Sequence, residues 1–128
     1  TLMLEYSGAF NPAYIVRGAE LIELRPDKIA IGAYSEGLTA FSDINFKLQA
    51  NDIIYLFSDG YADQFGGPNG KKFMRKKFKA LLLEIRELPM IVQRKELYSR
   101  LVEWQGLESQ VDDICIFGIK ITADSMQN

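Results

Sequence analysis

Histidine is absent from this 128-residue chain, and cysteine occurs once, at Cys115. Without imidazole there is no Ser-His-Asp or Cys-His nucleophile system, no histidine general base and no histidine-ligated zinc. A single thiol cannot form an intramolecular disulfide and falls short of a thiolate metal cage. A metal held by this chain must therefore be held by oxygen, which points to magnesium, manganese or calcium. Long apolar runs are missing too. The richest, Ala80 to Leu83 and Ile114 to Ile121, are far shorter than the roughly 18 residues of a membrane span. Charge of one sign is not in excess: the net charge is -2, so nothing global favours a nucleic-acid partner. What is present is a hydrophobic share of 48% with 12% aromatics, enough for one folded domain and too much for a disordered chain. The opening Thr-Leu-Met-Leu-Glu-Tyr has neither an initiator methionine nor a signal sequence and reads as a cut piece.

Residues Leu2 to Ser7 and Tyr14 to Arg17 are β-prone runs separated by the turn chemistry of Asn11-Pro12, and suggest a hairpin with a longer connection. Glu20 to Leu24 supplies a third strand after Gly18, and Asp27 to Gly37 reads as a loop. Ile44, Phe46 and Leu48 alternate as a strand does, before the polar turn Gln49-Ala50-Asn51-Asp52. The continuous apolar run Ile53 to Phe57 suits a strand buried on both faces, and it stops at Ser58-Asp59-Gly60. Phe65 to Gly70 is too rich in glycine and proline to continue a regular element. Met74, Phe78, Leu81, Leu82 and Ile85 share one face of a helix that ends by Pro89. A second helix starts near Pro89 or Met90, carries Met90, Leu97, Leu101 and Trp104 on one side, and is capped by Gly106. Ile114 to Ile121 is a final strand, with Cys115 expected to be buried and inert in it. Strands, two helices and a strand predict an α+β class with a mainly antiparallel sheet over residues 1–122, followed by a polar tail at 123–128.

Two acidic motifs flank these elements. Asp59 stands where a strand ends, and Asp112-Asp113 stands where the last strand begins. If those strands are neighbours, the carboxylates converge on one cation, and would repel one another without it. Equally, Asp-Gly is a common turn and Asp-Asp a common solvated cap. The basic run Lys71, Lys72, Arg75, Lys76, Lys77 and Lys79 can be read as a surface for a phosphoprotein or acidic lipid, or as the solvated face of an amphipathic helix. Gly66-Gly67-Pro68-Asn69-Gly70 lacks the spacing of a P-loop and reads as a flexible connection beside the acidic motifs. Trp104 reads as a core residue.

Three ordered segments, Leu4 to Pro12, Ile54 to Asp63 and Gln110 to Ile114, with two helices between the second and third, resemble the C-terminal half of a SpoIIE-type phosphatase domain of the PP2C-like group. The resemblance spans nearly the whole chain. It implies a sandwich of antiparallel sheets flanked by helices, present only as its C-terminal portion. It also implies metal-dependent hydrolysis of phosphoserine or phosphothreonine in a protein by a metal-activated water, with two Mn or Mg ions in the complete domain. On this resemblance Asp59 and Asp112 match metal ligands, and Asp113 is a weaker candidate. The implied partners are a phosphorylated protein substrate and an upstream sensory domain of a bacterial signalling protein; a homo-oligomer of the piece is a further possibility, and nucleic acid is not expected. The implied location is cytoplasmic, with any membrane anchor in absent segments. The alternative is a non-catalytic phosphatase-like module that binds a regulatory partner. Phe10 stands where many relatives carry histidine or asparagine. The family's first Asp-Gly metal motif has no counterpart here, and Glu5, within a strand, is no substitute. The piece by itself is thus expected to hold part of a dinuclear site and to be inactive alone.

Overall fold

A computed structural model describes residues 3–7, 11–25 and 43–123. Its strands are β1 (Met3–Ser7), β2 (Ala13–Arg17), β3 (Glu20–Leu24), β4 (Asp43–Lys47), β5 (Ile53–Phe57), the two-residue β6 (Phe65–Gly66) and β7 (Lys71–Lys72), and β8 (Ile116–Lys120). The helices are α1 (Gly60–Asp63), α2 (Arg75–Glu84) and α3 (Met90–Gln105). A four-stranded antiparallel sheet runs in the order β3-β2-β5-β8, while β1 pairs with β4 in a separate two-stranded sheet. The chain is α+β, as its pattern predicts. The loop expected at Asp27 to Gly37 and the end of the tail lie outside the described residues.

Registers explain the alternation. Tyr14 pairs with Tyr55, which pairs with Gly118, and Val16 pairs with Ile53. Residues directly opposite share a face, so Tyr14, Val16, Ile53 and Tyr55 line one side of the sheet, against Tyr61, the α2 face of Phe78, Leu81 and Leu82, Ile85 just after it, and Leu97 of α3. Burying each large side chain is worth about 1.5–3 kcal/mol, and two of the three tyrosine tips are satisfied: Tyr61 Oη donates to the Leu97 carbonyl at 2.7 Å, and Tyr55 Oη to Gln93 Oε1. Ala13, Ile15, Leu24 and Ile54 face the other way and meet Leu48, Ile121 and Phe46. The second face is less covered toward β8, where Leu56, Phe117 and Ile119 are exposed.

Several expectations change. The hairpin is β2 with β3 across Gly18 (φ 58°), not β1 with β2; β1 takes β4 as its partner instead. Run composition marks a strand but not its neighbour. Residues 65–72 contain a short hairpin, β6 with β7, anchored on Trp104 rather than a flexible connection. Trp104 itself is half-buried; its Nε1 donates to the Gln64 carbonyl at 2.8 Å and its carbonyl accepts from Gly67 N at 2.8 Å. A Cβ on Gly66 would come within 1.9 Å of that carbonyl, which explains the glycine. Cys115 is exposed, just before β8. The polar turn before β5 holds an ion pair: Asp52, 1% exposed, accepts from Arg17 Nε at 2.9 Å, Arg17 Nη2 at 2.8 Å and Gln49 N at 2.8 Å. Arg17 Nη2 also donates to the Lys47 carbonyl at 3.1 Å, which ties the end of β4 to the larger sheet.

Burial pushes the Asp52 carboxyl up, but the Arg17 and Gln49 hydrogen bonds outweigh it and hold it below the usual range. The Asp52 contribution is then complete above the unfolded-chain value near 4 and is lost as pH falls through the lower folded value. Asp52→Asn should cost about 3 kcal/mol at neutral pH and flatten the acid limb of stability; urea melts from pH 7 to pH 2.5 check both. Met74, just before α2, has φ 79° and ψ 153°, a region that suits glycine, and its side chain is largely exposed. Relieving strain of about 1–3 kcal/mol against the extra unfolded-state entropy of glycine, Met74→Gly should stabilise the chain by about 1 kcal/mol, read as a higher Tm.

Candidate metal centre

Strand β5 ends because Ser58-Asp59-Gly60 breaks the apolar run and turns the chain into α1. Phe57 pairs with Ile116, so antiparallel continuation brings the residues after β5 beside those before β8. Ser58 closes the junction: its N–H donates to the Cys115 carbonyl at 2.9 Å, its Oγ donates to the Asp113 carbonyl at 2.8 Å, and Oγ accepts from Cys115 N at 2.9 Å. Gly60 is pressed against the same segment, since a Cβ there would lie 2.1 Å from the Asp113 carbonyl oxygen. The Asp59 loop and the Asp112-Asp113 segment are thus neighbours at one rim of the sheet.

The carboxylates have distinct surroundings. Asp59 is the residue before α1 but makes no side-chain cap there. Its Oδ1 instead accepts from Arg75 Nη2 at 2.7 Å. The same Nη2 donates to Asn11 Oδ1 at 2.9 Å, and Asn11 Nδ2 donates to the Phe57 carbonyl at 3.1 Å. Burial works against the Arg75 charge, but the hydrogen bond and charge of Asp59 outweigh it and raise the guanidinium further above its ordinary value. Asp112 is exposed; its Oδ1 accepts from the Asp113 N–H at 2.7 Å and its carbonyl from Gln110 Nε2 at 2.9 Å. Asp113 is exposed and contributes its carbonyl to the Ser58 contact. Tyr14, fully buried behind this rim, has a hydroxyl without a hydrogen-bond partner among the described residues. Burial first, and then the Glu23 carboxylate, push that hydroxyl above its usual pKa.

This donor set is hard oxygen throughout and fits a divalent cation of the magnesium or manganese kind. It is incomplete: among the described residues no group of three or more acidic, histidine or cysteine side chains is gathered to hold an ion. Residues that pattern reading missed are Ser58, Asn11 and Arg75. Ser58 was visible as the residue before Asp-Gly, Asn11 as turn chemistry, and Arg75 as one cation in a basic run. That run is largely engaged within the chain, with Lys72 3.8 Å from Asp63, Lys79 2.5 Å from Glu23 and Lys77 4.2 Å from the Trp104 ring centroid. It favours the solvated-helix reading over a docking surface.

The family model for Stage II sporulation protein E (SpoIIE) matches residues 3–122. The chain belongs to the SpoIIE family. Among solved structures, the SiaA-PP2C domain of Pseudomonas aeruginosa is 30% identical with a TM-score of 0.80, over 93% of this chain and 46% of that one. The Mn-presoaked phosphatase domain of the cell fate determinant SpoIIE from Bacillus subtilis is 15% identical with a TM-score of 0.61, over 94% and 51%. A crystal form of the same domain without domain swapping gives 16% identity and a TM-score of 0.60, over 94% and 50%. The chain spans about half the length of the solved chains it matches. A search of the curated proteins gave no match. This SpoIIE-family chain therefore carries about half of a PP2C-like fold, with its antiparallel sheet and helices. Among the described residues no helix is long and apolar enough to cross a membrane.

The rim depends on close backbone approach. Gly60→Ala must displace the Asp113 carbonyl, and should cost about 2 kcal/mol or more; Ser58→Ala removes a donor and an acceptor and should cost about 1–3 kcal/mol. Denaturation of both variants, with amide exchange at Cys115 as the local readout, checks this.

Proposed function

We propose that this chain supplies part of the metal site of a Mg- or Mn-dependent protein serine/threonine phosphatase domain. The observation that carries the reading is the junction of Ser58, Gly60 and Asp113, which sets the Asp59 loop against Asp112-Asp113 at one rim, within a SpoIIE-family chain. Asp59 and Asp112 would hold a divalent cation, with Asp113 beside them. When bound in the complete domain, two such cations lower the pKa of a bound water and neutralise phosphoryl oxygens. The chain's own part is orientation: Ser58 and Gly60 fix the separation of the two loops, and Arg75, itself bonded to Asn11, holds the Asp59 side chain at the rim while no cation is bound. The substrate of the whole domain is a phosphoserine or phosphothreonine in a signalling protein, and its control would come from a sensory domain upstream. A non-catalytic module that binds a regulatory partner is the second reading. It is favoured by one observation, the engagement of Asp59 by Arg75.

Because the carboxylates present complete no cation shell, the 128-residue chain should hydrolyse p-nitrophenyl phosphate at background rates in millimolar manganese. A chain extended to the full length of the solved phosphatase domains should show Mn-dependent turnover that Asp59→Asn abolishes by at least a hundredfold. Turnover absent from the extended chain would favour the binding module, and robust Asp59-dependent turnover by the 128-residue chain would overturn the partial-site reading.

A further inference from the structure

The Asp59 carboxylate already has a cation. Arg75 is the first residue of α2, where a positive charge opposes the helix dipole. That end of the helix is otherwise poorly made. No acidic residue lies in its first turn, Met74 before it has φ 79° and makes no side-chain cap, and the Met74 N–H is held instead by the Ala62 carbonyl at 2.7 Å. The ion pair with Asp59 is thus a main tie between the start of α2 and the rim. It is also accessible, with side chains 32% and 43% exposed, so water and ions reach it and its net strength is that of a surface pair.

We propose that Arg75 is a built-in counter-cation of the rim: it occupies Asp59 in the cation-free chain, competes with a divalent ion for that carboxylate, and loosens the start of α2 from the rim when the ion enters. The proposal rests on the metal reading above. Its electrostatics are simple. An ion on Asp59 would sit within about 5 Å of the guanidinium, and repulsion between a double and a single charge at that distance is substantial even at the dielectric constant of water. Loss of the orienting hydrogen bond, which acts the other way, is the smaller effect for a half-exposed side chain. Asn11, held by the Phe57 carbonyl, gives the released guanidinium a second acceptor at 2.9 Å, so α2 is freed from the carboxylate without Arg75 losing every partner.

Binding of Mn²⁺ to the 128-residue chain is measured by electron paramagnetic resonance of the free ion at low ionic strength, for the unmodified chain and for Arg75→Gln, Arg75→Lys and Asp59→Asn. Amide exchange is followed over the first turn of α2 with and without manganese. Arg75→Gln should tighten Mn²⁺ binding about fivefold or more, Arg75→Lys should leave it within about twofold, and manganese should speed exchange at the Phe78 amide in the unmodified chain but not in Arg75→Gln. Weaker or unchanged binding in Arg75→Gln, with Asp59→Asn still abolishing it, would overturn the counter-cation and leave the metal reading standing. Mn²⁺ binding indifferent to Asp59→Asn would overturn both, whereas binding absent from every form up to millimolar manganese would overturn the counter-cation, which needs the ion to enter this chain, and leave the partial-site reading standing.

Discussion

The pairing of β5 with β8 is the contact on which the rest of this molecule depends. It joins residues 53–57 to residues 116–120, across an intervening stretch that contains α1, the β6-β7 hairpin, α2 and α3. Closing so long a loop has an entropic cost that the strand ladder alone would not offset. The helices provide the rest, because their apolar faces pack on the same side of the sheet and place Phe78, Leu82 and Leu97 against Tyr14 and Tyr55. Once the ladder is in register, the loop after β5 and the segment before β8 have no freedom to be apart. The candidate centre follows from that register, not from any local preference of its aspartates.

Two carboxylates at opposite ends of β5 show how burial sorts ion pairs into different roles. Asp52 precedes the strand, is 1% exposed, and is matched by Arg17 Nε and Nη2 and a backbone amide. With both oxygens hydrogen-bonded and almost no access to water, it is a structural fixture that joins the β2-β3 hairpin to the end of β4. Asp59 follows the strand and pairs with Arg75 through one oxygen while remaining 43% exposed. Such a pair is weak, exchangeable and open to a competing ion. Of these two carboxylates, only the one at the wet end of the strand can change partners.

Glycine and serine carry much of the precision. Gly60 admits the Asp113 carbonyl and Gly66 admits the Trp104 carbonyl, each at a distance no Cβ could share. Ser58 joins the two loops by acting as donor and acceptor at once. The exposed Leu56, Phe117 and Ile119 on the opposite face fit a chain that spans about half of the solved domains it matches, since sheets of this class are covered on both faces when complete.

The amino-acid sequence by itself determined the positions of most elements, because hydrophobic periodicity reports which side of a helix or strand is buried: the α2 face of Phe78, Leu81 and Leu82 and the run at Ile53 to Phe57 were legible from spacing. It also bounded the chemistry open to a metal site, since a chain without histidine and with one cysteine has chiefly oxygen to offer a metal. It left open whether Asp59 was a ligand or a turn residue. Tertiary structure alone decided that β1 pairs with β4, that residues 65–72 form a hairpin on Trp104, that Cys115 is exposed and that Arg75 meets Asp59. The reason is the same in each case. Periodicity records the face a residue presents, whereas a strand partner, an ion pair or a backbone approach is a choice among segments distant along the chain, settled only when packing brings one of them within reach.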